Sequence, residues 1–510
     1  MSQHATQGEH DEHHEPQASA NVSTNRRAFL QRVALGALGT ASGAAWLSAC
    51  GSAAGGVAVS AAGGISPQPP ASAWQPGWSQ VPGILARIRA PTFPARTFDI
   101  TTYGAVPDGV TDSSAAITKA MAACKAAGGG RVLVPAGTFL TGPIHLSSSM
   151  ELHVVRGATL LFHTDPARYL PAVLTRFEGV ELYNYSPLIY ALDADDVAVT
   201  GEGTLDGQAD RTHWWRWKGG KEWGNGPQDQ AAGRAKLLDM GERGVPVADR
   251  RFGQGDYLRS SFVQMYRCRN VLIEGVTILR SPMWEIHPVL SQNVIVRNVT
   301  ISTHGPNNDG CDPESCRDVL IEGCTFDTGD DCIAIKSGRN ADGRRLNTAT
   351  ENVIVRNCRM KDGHGGVTIG SEISGSVRHV YVENCRMDSP ALDRALRLKT
   401  NAMRGGALQH IYMRNVTVGQ VADSVLSVDF TYEEGAAGSF MPVVSDIELR
   451  NVTSTKSNYG LYLRGFANAP IRDIRLIDCR FDGVARADVL EHVQGLTRTN
   501  VSVNGTKVAS

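Results

Sequence analysis

Four short polar segments interrupt the C-terminal half of this 510-residue chain: Asn307-Asn308-Asp309-Gly310, Gly329-Asp330-Asp331, Gly363-His364-Gly365 and Arg397-Leu398-Lys399. Together they offer three carboxylates, an imidazole and two cations. Hydrolysis of a glycosidic bond needs one protonated carboxyl for the leaving oxygen and one ionised carboxylate. Asp330 and Asp331, with Asp309 brought near, cannot all ionise without mutual repulsion, so one of them must hold its proton. The others can hold and polarise a water. Arg397 and Lys399 supply positive charge for an anionic sugar, and arginine can grip a carboxylate bidentately. Taken singly, each segment is ordinary turn chemistry. Their meaning depends on elements that bring all four to one face.

Those elements are legible as a repeat. Asn270-Val-Leu-Ile-Glu-Gly-Val-Thr-Ile278 recurs as Asn293-Val-Ile-Val-Arg-Asn-Val-Thr-Ile301, and again from Asp318, Asn352, His379, His410, Asp446 and Asp473. Counted from the residue after each start (271, 294, 319, 353, 380, 411, 447, 474), the steps are 23, 25, 34, 27, 31, 36 and 27. A β-rich motif at such spacing argues for a solenoid. Asp196-Val197-Ala198-Val199 fits an earlier coil. Apolar residues alternate within a copy, which sends one set inward and the other outward. Coils stacked ~4.8 Å apart then pair each strand with the next around a continuous apolar interior. The expected fold is all-β, a right-handed parallel β-helix. A propeller is excluded by the lack of a blade signature.

Within this frame Asp330 and His364 both lie eleven residues into their coils, Asp309 fifteen, Arg397 seventeen and Lys399 nineteen. Side chains one or two rungs apart sit roughly 5–10 Å from each other. That range overlaps the ~6.5–9.5 Å of inverting carboxylate pairs without excluding the retaining spacing. Cys324, Cys358, Cys385 and Cys479 occupy a position that is Val in other coils, so they read as small buried hydrophobes. Asn298, Asn357, Asn384, Asn415 and Asn451 read as a stack or turn at a corner. Asp112 to Ala127 reads as a capping helix, with Asp112 or Ser113 at its start, Ile117, Met121 and Cys124 on one face, and Gly128-Gly129-Gly130 at its end.

Composition sets the outer bounds. Apolar residues are 42% and charged residues 20% of the chain, so wholesale disorder is excluded. Lys plus Arg is 50 against 51 Asp plus Glu, which leaves no basic field for nucleic acid or an anionic membrane. His4, His10, His13 and His14 lie in a solvated leader ahead of a signal rather than in a metal site. Arg26-Arg27-Ala28-Phe29-Leu30 resembles a twin-arginine export signal, and the small apolar run from Val33 to Leu47 is too short to span a membrane. Leu47-Ser48-Ala49-Cys50 resembles a lipobox with Cys50 as the lipidated residue. The expectation is an exported periplasmic or cell-surface lipoprotein that meets membrane only through that anchor. Residues 1–50 form the signal, 51–94 a flexible Ala/Gly/Ser/Pro-rich tether that buries little, and 95–510 the catalytic β-helix. Residues 206–262 are an insertion whose Trp214, Trp215, Trp217 and Trp223 fit either sugar stacking or a buried minicore.

The four segments resemble the motifs of glycoside hydrolase family 28, the polygalacturonases and their relatives, with Asn308 standing where the family usually has Thr. Phe98 to Pro143 resembles the N-terminal cap of the same β-helix superfamily, and the likeness runs over about residues 97–500. The resemblance implies Asp330 as general acid, Asp309 and Asp331 as the pair that activates water, and His364 as the group that tunes the acid. It implies Arg397, Lys399, Asn307 and, by a weaker match, Tyr432 as substrate-binding residues. It also implies inversion, no metal and no other cofactor. Ser281 to Pro288 and Gly365 to Glu372 look more like bacterial exo-acting members than fungal endo-acting ones. The expected partner is a galacturonate-containing polysaccharide or oligosaccharide. Rhamnogalacturonan or unsaturated-oligogalacturonide hydrolysis, pectate lyase chemistry and non-catalytic glycan binding are the alternatives.

Overall fold

A computed structural model describes residues 77–224 and 226–509. The twin-arginine and lipobox readings, Cys50 included, lie outside the described residues. From Gly130 onward the chain winds through three parallel sheets, one strand per sheet in a typical coil. The first sheet runs from Gly130–Val134 through Arg269–Glu274 and Gln292–Arg297 to Val493–Thr499. The second includes Gly137–Thr141, Thr277–Leu279 and Thr325–Thr328. The third includes Ile286–Val289, Ile333–Ile335, Val367–Ile369 and Arg394–Lys399. Parallel crossovers of this kind are right-handed, and the chain is a right-handed parallel β-helix.

The repeat read from sequence is the pairing register itself. Val271, Val294, Val319, Val353, Val380, Ile411, Ile447 and Ile474 are successive Cα partners and are all fully buried. Val197 precedes them and Leu496 adds a further coil. Each fully buried aliphatic side chain contributes about 1.5–3 kcal/mol. The residue before each of the eight has positive φ, between 55° and 61°: Asn270, Asn293, Asp318, Asn352, His379, His410, Asp446 and Asp473. Only Gly, Asn, Asp and His adopt that conformation at modest cost. Their side chains also bond along the stack, Asn293 Nδ2 to Asn270 Oδ1 at 2.7 Å and Asn352 Nδ2 to Asp318 Oδ1 at 3.0 Å. A second such column holds the Asn residues placed at a corner; Asn451 Nδ2 donates to Asn415 Oδ1 at 2.9 Å. The cysteines of the repeat are buried free thiols, as are Cys311 and Cys316.

The capping helix spans Ser114–Ala126, with Asp112 Oδ1 accepting from the Ser114 amide at 2.9 Å. It buries Ile117, Met121 and Cys124 over the N-terminal end of the core. The tether reading fails over residues 77–94. Val81–Arg87 is a helix, and Trp78, Val81, Ile84 and Ile88 pack on the outer side of the first sheet against Leu272, Ile295, Leu320, Ile354, Tyr381 and Tyr412. Arg87 pairs with Asp318 at 2.8 Å, and Asn293 exchanges hydrogen bonds with the Arg89 backbone. From Val197 to Met413 the repeat carries three apolar residues in a row because the outward one lies on the face that this strap covers, and beyond it the outward residue is Glu448 or Arg475.

Replacing Asn352 by Val forces a β-branched side chain into positive φ and removes the ladder bond. The expected cost is about 2 kcal/mol in denaturant unfolding, and Asn352→Gly, which tolerates that φ, should lose distinctly less.

Candidate active site

The site lies where the third sheet begins. Ile286, Cys311 and Ile333 pair across successive coils, and Ile333 pairs with Val367. Counting back two residues from Cys311 and Ile333 reaches Asp309 and Asp331, which therefore occupy equivalent positions one rung apart. Counting back three from Ile333 and Val367 reaches Asp330 and His364. Counting forward, Asp312, Thr368 and Arg397 share one outward position, and Lys336 and Lys399 another. The four polar segments are thus brought to one face, as the offsets required. Carboxylate oxygens of Asp309, Asp330 and Asp331 fall within 4.8 Å of one another, closer than the rung arithmetic suggested.

Each carboxylate has its own surroundings. Asp331 is fully buried and accepts from Lys399 Nζ at 2.7 Å, Thr368 Oγ1 at 2.7 Å and Arg397 Nη1 at 3.3 Å. Burial opposes its ionisation, but Lys399 and Arg397 overcome it and hold its pKa low. Asp330 is partly open to the groove and bonds His364 Nδ1 at 3.0 Å. Burial again opposes ionisation, and the His364 bond outweighs it, so its pKa is depressed. His364 in turn is raised to about 9 by that bond. Asp309 has no direct hydrogen-bond donor of this kind; burial first, then the Asp330 charge, push it up to about 7. The raised carboxyl of the free site is therefore Asp309, whereas the family resemblance assigns the acid to Asp330.

Arg397 and Lys399 also differ from expectation, since both are already engaged by Asp331. Each still lines the groove beside Tyr432, whose ring centre is 5.7 Å from the Arg397 guanidinium carbon and 5.3 Å from Lys399 Nζ. Asn307 sits at the cavity wall with positive φ, and its Oδ1 accepts from Arg259 at 2.8 Å. Asn308 is buried and fully satisfied: it accepts from Thr303 Oγ1 and the Gly305 amide and donates to the carbonyls of Ser281 and Met283. It locks the turn that delivers Asp309.

Several groups were not foreseen. Lys336 is buried beneath Asp309, 3.5 Å from it, 3.4 Å from Asp312 and 3.5 Å from Glu372, with its ammonium 4.5 Å from the Trp284 ring centre. Burial disfavours its charge, but these carboxylates raise its pKa well above the ordinary value. Glu285 and Asp312 are buried nearby, and burial first, then the Asp309 charge, push both well above the ordinary carboxyl range. Arg339 gathers Glu178, Glu372, Glu433 and Glu434. The sequence signal was faint: a lone Lys closing the strand Ile333–Ile335, and a Glu after Gly370-Ser371.

The cavity above these residues measures about 400 Å³ and is walled on one side by Glu178, Lys218, Glu222, Trp223 and Arg234. Glu178 stands at the turn between the antiparallel strands Val173–Phe177 and Val180–Asn184. The remaining four come from the insertion, whose tryptophans divide their roles. Trp214 and Trp217 are a buried minicore 4.9 Å apart, Trp215 donates from Nε1 to the Ser281 carbonyl at 2.8 Å, and Trp223 faces the cavity. Each carboxylate of the acidic triad already faces a cationic or imidazole partner, Asp309 with Lys336, Asp331 with Arg397 and Lys399, and Asp330 with His364, which does not suit a divalent cation.

Clustered carboxylates of unequal acidity, at a cation-lined groove on a parallel β-helix, define a glycosidase. The model of the family described as glycosyl hydrolases family 28 matches residues 253–502, and that of rhamnogalacturonase A/epimerase, pectate lyase-like, matches 97–153. A hyperthermoactive exopolygalacturonase from Thermotoga maritima is similar in structure, with TM-score 0.82 and 49% identity over 84% of this chain and 96% of that one. An exo-poly-alpha-D-galacturonosidase of Dickeya chrysanthemi is 30% identical over 403 residues, 74% of this chain and 65% of the relative. A probable polygalacturonase of Vitis vinifera is 27% identical over 410 residues, 77% and 76% respectively. The chain belongs to glycoside hydrolase family 28.

Lys336→Met leaves Asp309 and Asp312 without their buried cation, and Glu372 with Arg339 alone, and should cost about 3–5 kcal/mol in unfolding at neutral pH. The deficit should shrink as pH falls and the carboxylates protonate, which a series of unfolding curves from pH 7 to pH 4 will read.

Proposed function

We propose that this chain hydrolyses α-1,4-galacturonide linkages and that it works from chain ends. The observation that carries the chemistry is the juxtaposition of Asp309, Asp330 and Asp331 within 4.8 Å beside Arg397 and Lys399. Similarity to polygalacturonases over most of the chain supports the substrate. The insertion wall supports the end-directed mode, since a groove blocked on one side admits a terminus more readily than a chain interior.

Asp330 and His364 share one proton below about pH 9. In the free site it resides on the imidazole. Moving it across the 3.0 Å bond gives a neutral Asp330 carboxyl, which faces the groove and can protonate the departing glycosidic oxygen. Asp309 and Asp331, one rung apart, are spaced to accept hydrogen bonds from a single water between them. Asp331 is held ionised and Asp309 ionises through about 7, so the pair can take the water's proton as it attacks the anomeric carbon. Direct attack inverts the anomeric centre. The usual ~6.5–9.5 Å separation of inverting acid and base is not needed where two carboxylates hold the water between themselves. Arg397, Lys399 and Tyr432 receive the sugar carboxylate; Arg397 spends one N–H on Asp331 and keeps others.

The raised Asp309 supports a second assignment, with Asp309 as acid. Aryl galacturonides with a good leaving group separate the two, because such substrates need no protonation. Asp330→Asn should retain turnover on the aryl substrate and lose about 10²–10⁴-fold on polygalacturonate, with an unchanged circular dichroism spectrum. Asp309→Asn should lose turnover on both. The opposite pattern makes Asp309 the acid.

The pH profile of kcat/KM should rise through about 7 as Asp309 ionises and fall through about 9 as the Asp330–His364 proton is lost. In His364→Asn the alkaline limb should move acidward, because Asp330 alone must then retain the proton. Product sizing completes the test: an end-directed enzyme releases single galacturonate units from the start, and proton NMR of the first product reads inversion directly. Residues 24–50 further support an exported, lipid-anchored protein, for which mass spectrometry of the mature N-terminus is decisive.

A further inference from the structure

Among the described residues, each arginine and lysine lining the cavity has a carboxylate within salt-bridge distance, with one exception. Arg234 lies 2.6 Å from Glu178, Lys336 3.5 Å from Glu372, Arg339 3.2 Å from Glu433, and Arg397 and Lys399 3.3 and 2.7 Å from Asp331. Lys218 lines the same cavity, and among the described residues none forms an ion pair or hydrogen bond with its side chain. Its position is not loose. It closes the short helix Trp215–Lys218, whose Trp217 is buried and whose Trp217 carbonyl accepts from the Gln230 amide at 2.7 Å. Trp215 ties the same turn to Ser281. Burial, with Arg259 and Arg234 close by, disfavours the charge on Lys218, and Glu178 pulls the other way. A carboxylate entering the cavity would supply the missing counter-charge.

Lys218 and the Arg397–Lys399 pair also belong to different ends of the groove. Arg397 and Lys399 line a second cavity, of about 290 Å³, that continues to Tyr459, Tyr462 and Arg486 of later coils. At the walled end Arg234 is taken by Glu178, and Lys218 is the cation left without a carboxylate partner among the described residues. Building on the galacturonide reading of the preceding section, we propose that Lys218 binds the carboxylate of the sugar unit at the walled end. The terminal unit must then be a uronate, and an oligosaccharide ending in a neutral sugar is rejected even when its next unit is acidic.

The test uses two trisaccharides, α-1,4-trigalacturonate and the same trimer with its non-reducing terminal carboxyl reduced to give galactose. The unaltered full chain should prefer the acid-ended trimer by about 10–100-fold in kcat/KM, the range expected for one hydrogen bond to a charged group. Lys218→Met should lose most of that preference through KM, and Lys218→Arg should keep it. Equal cleavage of both trimers by the unaltered chain, or a preference that survives in Lys218→Met, overturns the assignment and leaves the hydrolase reading standing. An equal loss on both trimers in Lys218→Met also overturns it, by making the residue structural. Failure of the unaltered chain to cleave either trimer overturns the galacturonide reading itself and this inference with it.

Discussion

In a parallel β-helix a side chain at one position of a coil stands one strand spacing from its equivalent in the next, and the backbone hydrogen bonds enforce that spacing. Loops between strands vary here by more than ten residues, yet the register is kept from Val197 to Leu496. The consequence is a set of columns: valines inside, cysteines at one inner bend, Asn, Asp and His at the positive-φ corners. A residue type repeats because its environment repeats. Where a column departs from its type, as at Asp309 and Asp331, the departure is inherited by a neighbour one rung away. The fold therefore brings like charges together with no local design beyond the register.

That arrangement creates an electrostatic problem which the buried cations solve. Asp309, Asp312, Asp331, Glu285 and Glu372 all sit in a wall almost free of solvent. Ionising them all in such surroundings is prohibitive. Two responses are visible. Burial drives Glu285 and Asp312 toward the neutral form, whereas Glu372 and Asp331 are kept acidic against their burial, Glu372 by Lys336 and Arg339, Asp331 by Lys399 and Arg397. Asp309 falls between these limits. Burial and then the charge of Asp330 raise it while Lys336 opposes them, which leaves it able to change protonation near neutrality. The acidity of each carboxylate is thus set by its burial and by the charges it faces, not by differences among the aspartates themselves.

The columns were legible in the sequence because each is repeated, the inward Val and Ile position eight times over, and repetition outweighs loop variation. The motif residues were legible as breaks in that repeat. Counting from the preceding strand aligned Asp330 with His364 but misplaced Asp309, because the loop before it differs in length; the strand that follows supplies the true register. Lys336 and Glu372 occur once each, so no repetition marked them. The strap failed for another reason. Residues 51–76 are rich in Ala, Gly, Ser and Pro, and that composition masked the short apolar stretch from Val81 to Ile88. Its docking face was nevertheless present as the extra outward apolar residue in the coils from Ala198 to Tyr412. The tryptophans of the insertion could not be apportioned from spacing, since burial of Trp214 and Trp217 depends on Tyr169, Tyr185 and Tyr257, remote or loop-borne partners.

A solenoid cannot close its own groove, because every coil presents the same profile to the next. Depth and end walls must come from segments that leave the repeat. Here they are the strands Val173–Phe177 and Val180–Asn184, the insertion with its helix Ala231–Glu242, and the helix Asn340–Leu346. These segments are fastened to one another: Asp342 accepts from the Glu181 amide and pairs with Arg250, and Arg345 bridges Asp342 and Glu181. Only a few of their side chains, Glu178 and Arg339 among them, reach the carboxylate columns. Bond-breaking groups and end wall are consequently separable parts of one molecule. On the function proposed above, the columns carry the chemistry and the wall selects which unit of the sugar chain is presented to them.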